Sequence, residues 1–427
     1  MTTACVPVRI EDETRERAQR RTLIVLVVAQ VLSGAGLAAG VTVGSLLAQD
    51  MLGSTGLAGL PSALGTAGSV LAAVAVGRVS QTRGRRVGLA AGYLAGAVGS
   101  AGVIAAAVAG NAAWLFVALF VYGAGMATNL QARYAGADLA DPVRRGRAVS
   151  TVLVATTLGG VVGPNLSAPT GDLARAVAIP YLAGPFLLAG AAYALAALVL
   201  AVWLRPDPLL LARTLDALPT SSTSGTAYGR ADDASGPQPV GQKRERSGVL
   251  AGGLVMGVAQ LVMVAIMTMT PVHMHDHGHG AAASGLVIAI HLGAMYLPSP
   301  LTGWLVDRYN RLAIAAGSGP TLLAAGIVAA SGDSIARLAI ALALLGLGWN
   351  LGLVTGTAII TDAVPLATRA KTQGLVDVFI AIAGATGGIA SGLVVAAAGY
   401  PLLAIGGGVL ALAIVPAVIG AAGRRGG

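Results

Sequence analysis

Histidine and methionine are crowded into one short stretch of this chain. All five histidines (His273, His275, His277, His279 and His291) and six of the nine methionines (Met256, Met263, Met267, Met269, Met274 and Met295) lie between positions 256 and 295. Imidazole nitrogen suits copper, zinc or nickel, and thioether sulfur is a soft donor suited to Cu(I). Met263 and Met267 are four residues apart, as are His291 and Met295, so on helices each pair shares a face. Between the pairs runs PVHMHDHGHG, in which His273, Met274, His275, Asp276, His277 and His279 form a donor-rich segment able to gather a divalent ion. The blander chemistry is also open: methionines at helical spacing fill cores or line apolar cavities, and a histidine-rich turn also serves as a solvated loop.

The elements that position these residues are membrane spans. Charged residues make up only 11% of the chain, hydrophobic ones 55%, and the mean hydropathy is +0.78. Soluble domains carry about 25% charged residues, so a water-soluble enzyme is excluded, and with Cys5 as the one cysteine so is a disulfide scaffold. A helix needs about 20 apolar residues to cross the hydrocarbon layer. Twelve stretches qualify, at about 22–48, 56–77, 87–110, 112–137, 148–170, 179–204, 249–272, 282–305, 312–331, 335–362, 372–397 and 400–421. Met263 and His291 then both sit roughly 14 Å below one end of antiparallel spans seven and eight, at 1.5 Å per residue.

With the N-terminus inside, 24 of the 27 Lys and Arg residues fall in cytoplasmic segments; Arg175 and Arg337 lie outside and Arg133 lies within span four. Orientation in a bacterial plasma membrane, with both termini cytoplasmic, therefore accounts for the +9 net charge, and no nucleic-acid partner is implied. The expected organisation is a cytoplasmic tail (1–21), a six-helix bundle (22–204), a disordered cytoplasmic linker (205–248) rich in Ser, Thr, Pro and Gly, a second six-helix bundle (249–421) and a short tail (422–427).

The halves repeat. GRVSQTRGRRVGL (77–89) has a counterpart in GWLVDRYNRLAIA (303–315), and ADLADPVRRGRA (137–148) in TDAVPLATRAKT (361–372), aligning Asp138 with Asp362 and Arg145 with Arg369. Parallel six-span halves are one of the recognised transporter plans. Gly303, Asp307, Arg308 and Arg311 in the second half, and Gly77, Gly84, Arg85 and Arg86 in the first, resemble motif A of the major facilitator superfamily; Gln81 and Thr82 stand where the first-half acid and arginine of that pattern belong. GGVVGPNLSAPTG (159–171) is similar to that superfamily's motif C. The resemblance implies an all-α major facilitator fold of twelve transmembrane helices in two pseudo-symmetric halves, a monomer in the bilayer, and alternating access to a central cavity. More narrowly, Met263-x-x-x-Met267 with His291-x-x-x-Met295 resembles the paired motifs of CcoA-like copper importers. That resemblance implies that these four residues are a copper path, with copper as cargo and no resident cofactor.

Two further charges lie well inside the spans, Arg133 and Asp377. Intramembrane charges are functional candidates by default; here Arg133 with Asp138, and Asp377 with Arg369 or Lys371, are expected to form latch or coupling pairs. No ATP-binding glycine loop is present, so secondary transport is expected. Three readings follow: import of copper, proton-coupled transport of a small organic molecule such as a drug or flavin, and a metal-sensing or interaction protein.

Overall fold

The computed structural model describes residues 6–52, 60–217 and 239–423. Cys5, the middle of the linker (218–238) and the extreme C-terminus lie outside the described residues. The first half comprises α1 (Val6–Leu52), α2 (Leu60–Arg83), α3 (Arg85–Ala109), α4 (Ala112–Asp138), α5 (Arg145–Asn165), a short α6 (Ser167–Ala176) and α7 (Gly184–Trp203). After α8 (Pro208–Asp216) the second half follows with α9 (Pro239–Asp276), α10 (Ala281–Tyr296), α11 (Ser299–Arg308), α12 (Arg311–Ala330), α13 (Ile335–Ala363), α14 (Arg369–Ala411) and α15 (Ile414–Gly423).

Ten segments among the described residues are long and apolar enough to cross a membrane. One of them, Arg369–Gly420, is divided at Gly399, whose φ of 80° no helix tolerates and which Pro401 follows, so it supplies two spans. With α5 added, twelve spans result, six in each half: an all-α membrane protein. Helical spans are the expected solution in lipid, where backbone N–H and C=O groups must be satisfied within the segment. Large apolar side chains such as Leu94, Val98, Leu195, Leu198, Ile389 and Leu393 stand exposed on the outside, where acyl chains would cover them.

Each half has its own core. Leu26, Tyr93, Leu115, Phe186 and Tyr193 centre the first, and Val262, Leu342, Trp349, Leu353 and Ile360 the second, which extends across to Val149 and Leu153 of α5.

Several expected boundaries change. Span five stops at Asn165 and resumes as α6. Span eight is interrupted at Leu297 and Pro298, where proline denies the helix a donor. Both ends of the linker expected to be disordered are helical: α9 already begins at Pro239, and Asp207 caps α8 by accepting from the N–H groups of Leu209 (3.1 Å) and Leu210 (3.2 Å). Leu209 is fully buried, and Ala212 joins Ala18 and Leu139 in a small apolar cluster. The composition that suggests disorder belongs to residues further on; LLLAR (209–213) has helical periodicity and an apolar face.

Candidate functional site

The arginine-rich loops of both halves gather at one face of the bundle. Gly77 of α2 sits against α14: a Cβ on it would lie 3.0 Å from Ala370 O. Its counterpart Gly303 of α11 sits against α5, with Gly146 O 2.6 Å from where a Cβ would be. Two symmetry-related crossings, α2 on α14 and α5 on α11, thus bring the halves into backbone contact because glycine occupies both.

Helix ends are capped across these crossings. Asp307 accepts from the N–H groups of Gly146 (2.7 Å) and Arg147 (2.9 Å) at the start of α5. Gln81 Oε1 accepts from the N–H groups of Ala370 (2.8 Å) and Lys371 (3.3 Å) at the start of α14, while its amide nitrogen donates to the carbonyls of Leu366 and Ala367. The glutamine that departs from the acidic pattern does the same work as the aspartate, without charge.

Around the caps lies a crossed charge network. Asp138 pairs with Arg85 of its own half at 2.7 Å and with Arg369 of the other half at 4.0 Å. Asp362 pairs with Arg311 of its own half and with Arg145 of the other. Arg85 also donates to Gln373, and Arg311 to the Pro142 carbonyl. Of the other motif A arginines, Arg86 donates its backbone N–H to Asp207 (2.7 Å), and Arg308 is exposed in the last turn of α11, favourable for the helix dipole. The charged face is therefore closed by bonds between the halves.

Deeper in, Arg133 and Asp377 form the other link. Arg133 of α4 donates to Asp377 of α14 at 2.7 Å, and the side chains are 0% and 3% exposed. Arg133 also donates to Thr357 Oγ1 (3.0 Å) and Tyr134 OH (2.9 Å), and Tyr134 OH donates to Asp377 Oδ1 (3.2 Å). Asp377 Oδ2 is buried and has no hydrogen-bond partner among the described residues. The expected partners are thus exchanged: Arg133 pairs with Asp377 rather than Asp138, and Asp138 takes Arg85 and Arg369.

Next to this pair stands an aromatic cluster that sequence reasoning missed. Tyr296 lies within electrostatic reach of Arg133. Its ring meets Trp349 edge-on at 5.7 Å, and the Trp349 indole N–H donates to Gln260 Oε1 at 2.7 Å. A neutral buried network in the first half was also missed: Tyr93 OH donates to Gln30 Oε1 (2.6 Å), Gln30 donates to Thr156 Oγ1 (3.0 Å), and Asn129 donates to Ser33 Oγ (2.8 Å). Isolated Gln, Trp and Tyr residues on apolar spans carry no motif; only their polarity in lipid marks them.

The methionine–histidine set lies within the second half. Met263 and Met295 are buried in its core and Met267 packs against it. His291 is fully buried, with Nδ1 2.8 Å from the Leu342 carbonyl and Nε2 without a partner among the described residues. Both His291 and Met295 lean on α13, where Gly346 leaves room for the α10 backbone. In the donor-rich segment, Met274 is a core residue, His275 and Asp276 are exposed at the end of α9, and His279 Nε2 lies 2.7 Å from the Asp333 carbonyl. His273 and His277 meet the Asp333 side chain, which no sequence pattern flags.

The Major Facilitator Superfamily profile matches residues 26–332 and 250–424. The chain is 53% identical to the MFS-type transporter YdeG of Bacillus subtilis (strain 168), covering 96% of this chain and 94% of that one. It is 30% identical to the riboflavin transporter RfnT of Brucella anthropi, covering 85% and 86%. Among solved structures, the human organic anion transporter MFSD10 superposes with a TM-score of 0.73 at 16% identity, covering 94% of this chain and 99% of that one.

Proposed function

The chain belongs to the major facilitator superfamily, a membrane transporter and not an enzyme, and on that footing we propose that it carries a small, flat organic solute between its two halves, driven by protons. The observation that carries this reading is the run of groups from Arg133 through Tyr296 and Trp349 to Gln260. Aromatic faces with a few placed polar groups are what a planar ligand with polar edges requires. A flavin has this form, and the relative named for riboflavin transport supports it.

The positive-inside rule makes the arginine-rich face cytoplasmic. With that face closed by the Gln81, Asp307, Asp138 and Asp362 contacts, the conformation is the outward-facing one. Asp377 is the proton acceptor on this reading. Its charge is held by Arg133 across the halves, and neutralising it weakens that hold and lets them separate. A monomer in a bacterial plasma membrane, with no resident cofactor, completes the proposal.

The test is uptake of labelled riboflavin into liposomes holding the purified chain, with the lumen alkaline and the exterior acidic. Accumulation above empty liposomes, weakened by Trp349→Ala and uncoupled from the gradient by Asp377→Asn, is expected. Counts equal to those of empty liposomes under every gradient would rule out a flavin.

A second reading, copper import through Met263, Met267, His291 and Met295, rests on one observation. The Leu342 carbonyl fixes one ring nitrogen of His291 and leaves the other buried and without a partner among the described residues, the arrangement in which histidine ligates metals. Radioactive copper uptake abolished by the Met263→Leu, Met267→Leu double variant and by His291→Ala would favour it; uptake indifferent to all three substitutions would remove it.

A further inference from the structure

At the face opposite the arginines, three side chains from two separate parts of the second half converge. His273 Nε2 lies 2.9 Å from Asp333 Oδ1, and His277 Nε2 lies 3.7 Å from Asp333 Oδ2. The three donor atoms all lie within 4.8 Å of one another. His273 belongs to the last turn of α9. The His277 N–H donates to the His273 carbonyl at 3.2 Å, so the helical turn continues and both rings share one face. Asp333 comes from the loop between α12 and α13, 60 residues away from His273.

The His277 ring is already set for ligation, whereas the His273 Nε2–H donates to Asp333 Oδ1, a proton that a bound ion would displace. His277 Nδ1 lies 2.8 Å from the His273 carbonyl, so Nδ1 carries the proton and the Nε2 lone pair faces Asp333. The His273 ring stacks on Tyr400 with centroids 4.2 Å apart and planes 15° from parallel, and Tyr400 in turn bonds Thr270 (2.9 Å). Second contacts of this kind fix the orientation of metal-binding histidines. His279 holds the Asp333 backbone from the other side. Both His277 and Asp333 are partly exposed, at 42% and 49%, so a hydrated ion can reach them.

We propose that His273, His277 and Asp333 form a surface site for a borderline divalent cation of the zinc class. Two imidazoles and one carboxylate suit such an ion, with water in the fourth position. Zinc bonds these donors at roughly 2.0–2.2 Å, so a bound ion draws the exposed His277 ring inward and leaves His273 in place. The site is far from the charged gate and is independent of the proposed solute. Its effect is to tie the end of α9 to the α12–α13 loop.

The experiment is a zinc titration of the full-length purified protein in detergent, without a polyhistidine tag, against a chromophoric chelator. One ion per chain is expected for the wild type, with affinity lowered at least about tenfold in His277→Ala and in Asp333→Asn and within twofold of wild type in His275→Ala, an exposed neighbour outside the trio. Thermal unfolding with and without zinc checks that the variants fold. Absence of stoichiometric binding by the wild type, or equal losses in all three variants, would overturn the proposal.

Discussion

Gln81 and Asp307 occupy equivalent places in the two halves, and each caps the first turn of a helix in the opposite half through two backbone N–H groups. One does so with a carboxylate and the other with an amide. Bonds to a charged acceptor are roughly twice as strong as neutral ones, but the Gln81 amide also donates to the Leu366 and Ala367 carbonyls, so two charge-assisted bonds close the α5–α11 crossing where four neutral ones close α2–α14.

Asp307→Asn should make the crossings alike, keeping an acceptor at α5 and retaining transport. Asp307→Ala and Gln81→Ala each leave one part-buried helix-end donor, the Gly146 or the Ala370 N–H, without its partner when the face is closed, a cost of about 1–3 kcal/mol, while the exposed Arg147 or Lys371 N–H turns to water. Hydrogen exchange at 145–149 should rise in the first alanine variant and at 369–373 in the second.

Gly303→Leu places a side chain where Ser150 and the Gly146 carbonyl stand. The face cannot then close, although each half still folds on its own core. Spin labels at the exposed positions Arg144 and Arg308 should move apart relative to the parent, and transport should cease. An unchanged distance would show that the two crossings are not the gate.

Removing one member of a buried ion pair costs about 3–5 kcal/mol. Arg133→Met should therefore destabilise the chain strongly, and adding Asp377→Leu should restore much of the loss. The double variant should exchange solute without responding to a proton gradient. Thermal unfolding and counterflow measurements, run on the same preparations, separate the two effects.

Gln260→Ala removes the acceptor for the Trp349 indole N–H. A fall in solute affinity of about 0.5–1.5 kcal/mol, the value of one aromatic pairing, is expected in Trp349→Leu. Gln260→Ala should act in the same direction, because the ring is no longer held. Equilibrium dialysis with labelled riboflavin measures both without relying on the tryptophan that one variant removes.

The span count and the two halves were legible in the sequence because they depend on local composition and on a repeat visible as text; Gly77 and Gly303 stood out in that repeat, but their contacts with the opposite half did not. The charge partners were not. Arg133 and Asp138 are near in sequence, but five residues on a helix of 3.6 per turn turn them to different sides, so each finds its partner on another helix. Asp377 lies eight residues from Arg369, about 12 Å along the axis. Asp333 is a lone acid in a short loop, and its meeting with His273 and His277 depends on how α9 packs in the bundle. Gln260 and Trp349 likewise meet only through the α9–α13 packing. The helix in the linker was hidden by averaging over a segment whose remainder is rich in serine and glycine.

That helix also bears on the transport cycle. Asp207 fastens the start of α8 to the first half through the Arg86 N–H, and Arg213 near its end donates to the carbonyl of Leu366 in the second half (3.2 Å) and to that of Gln81 (3.0 Å). Opening the charged face must detach Arg213 from one side or the other. Whether this face stays closed therefore depends in part on a segment that belongs to neither bundle.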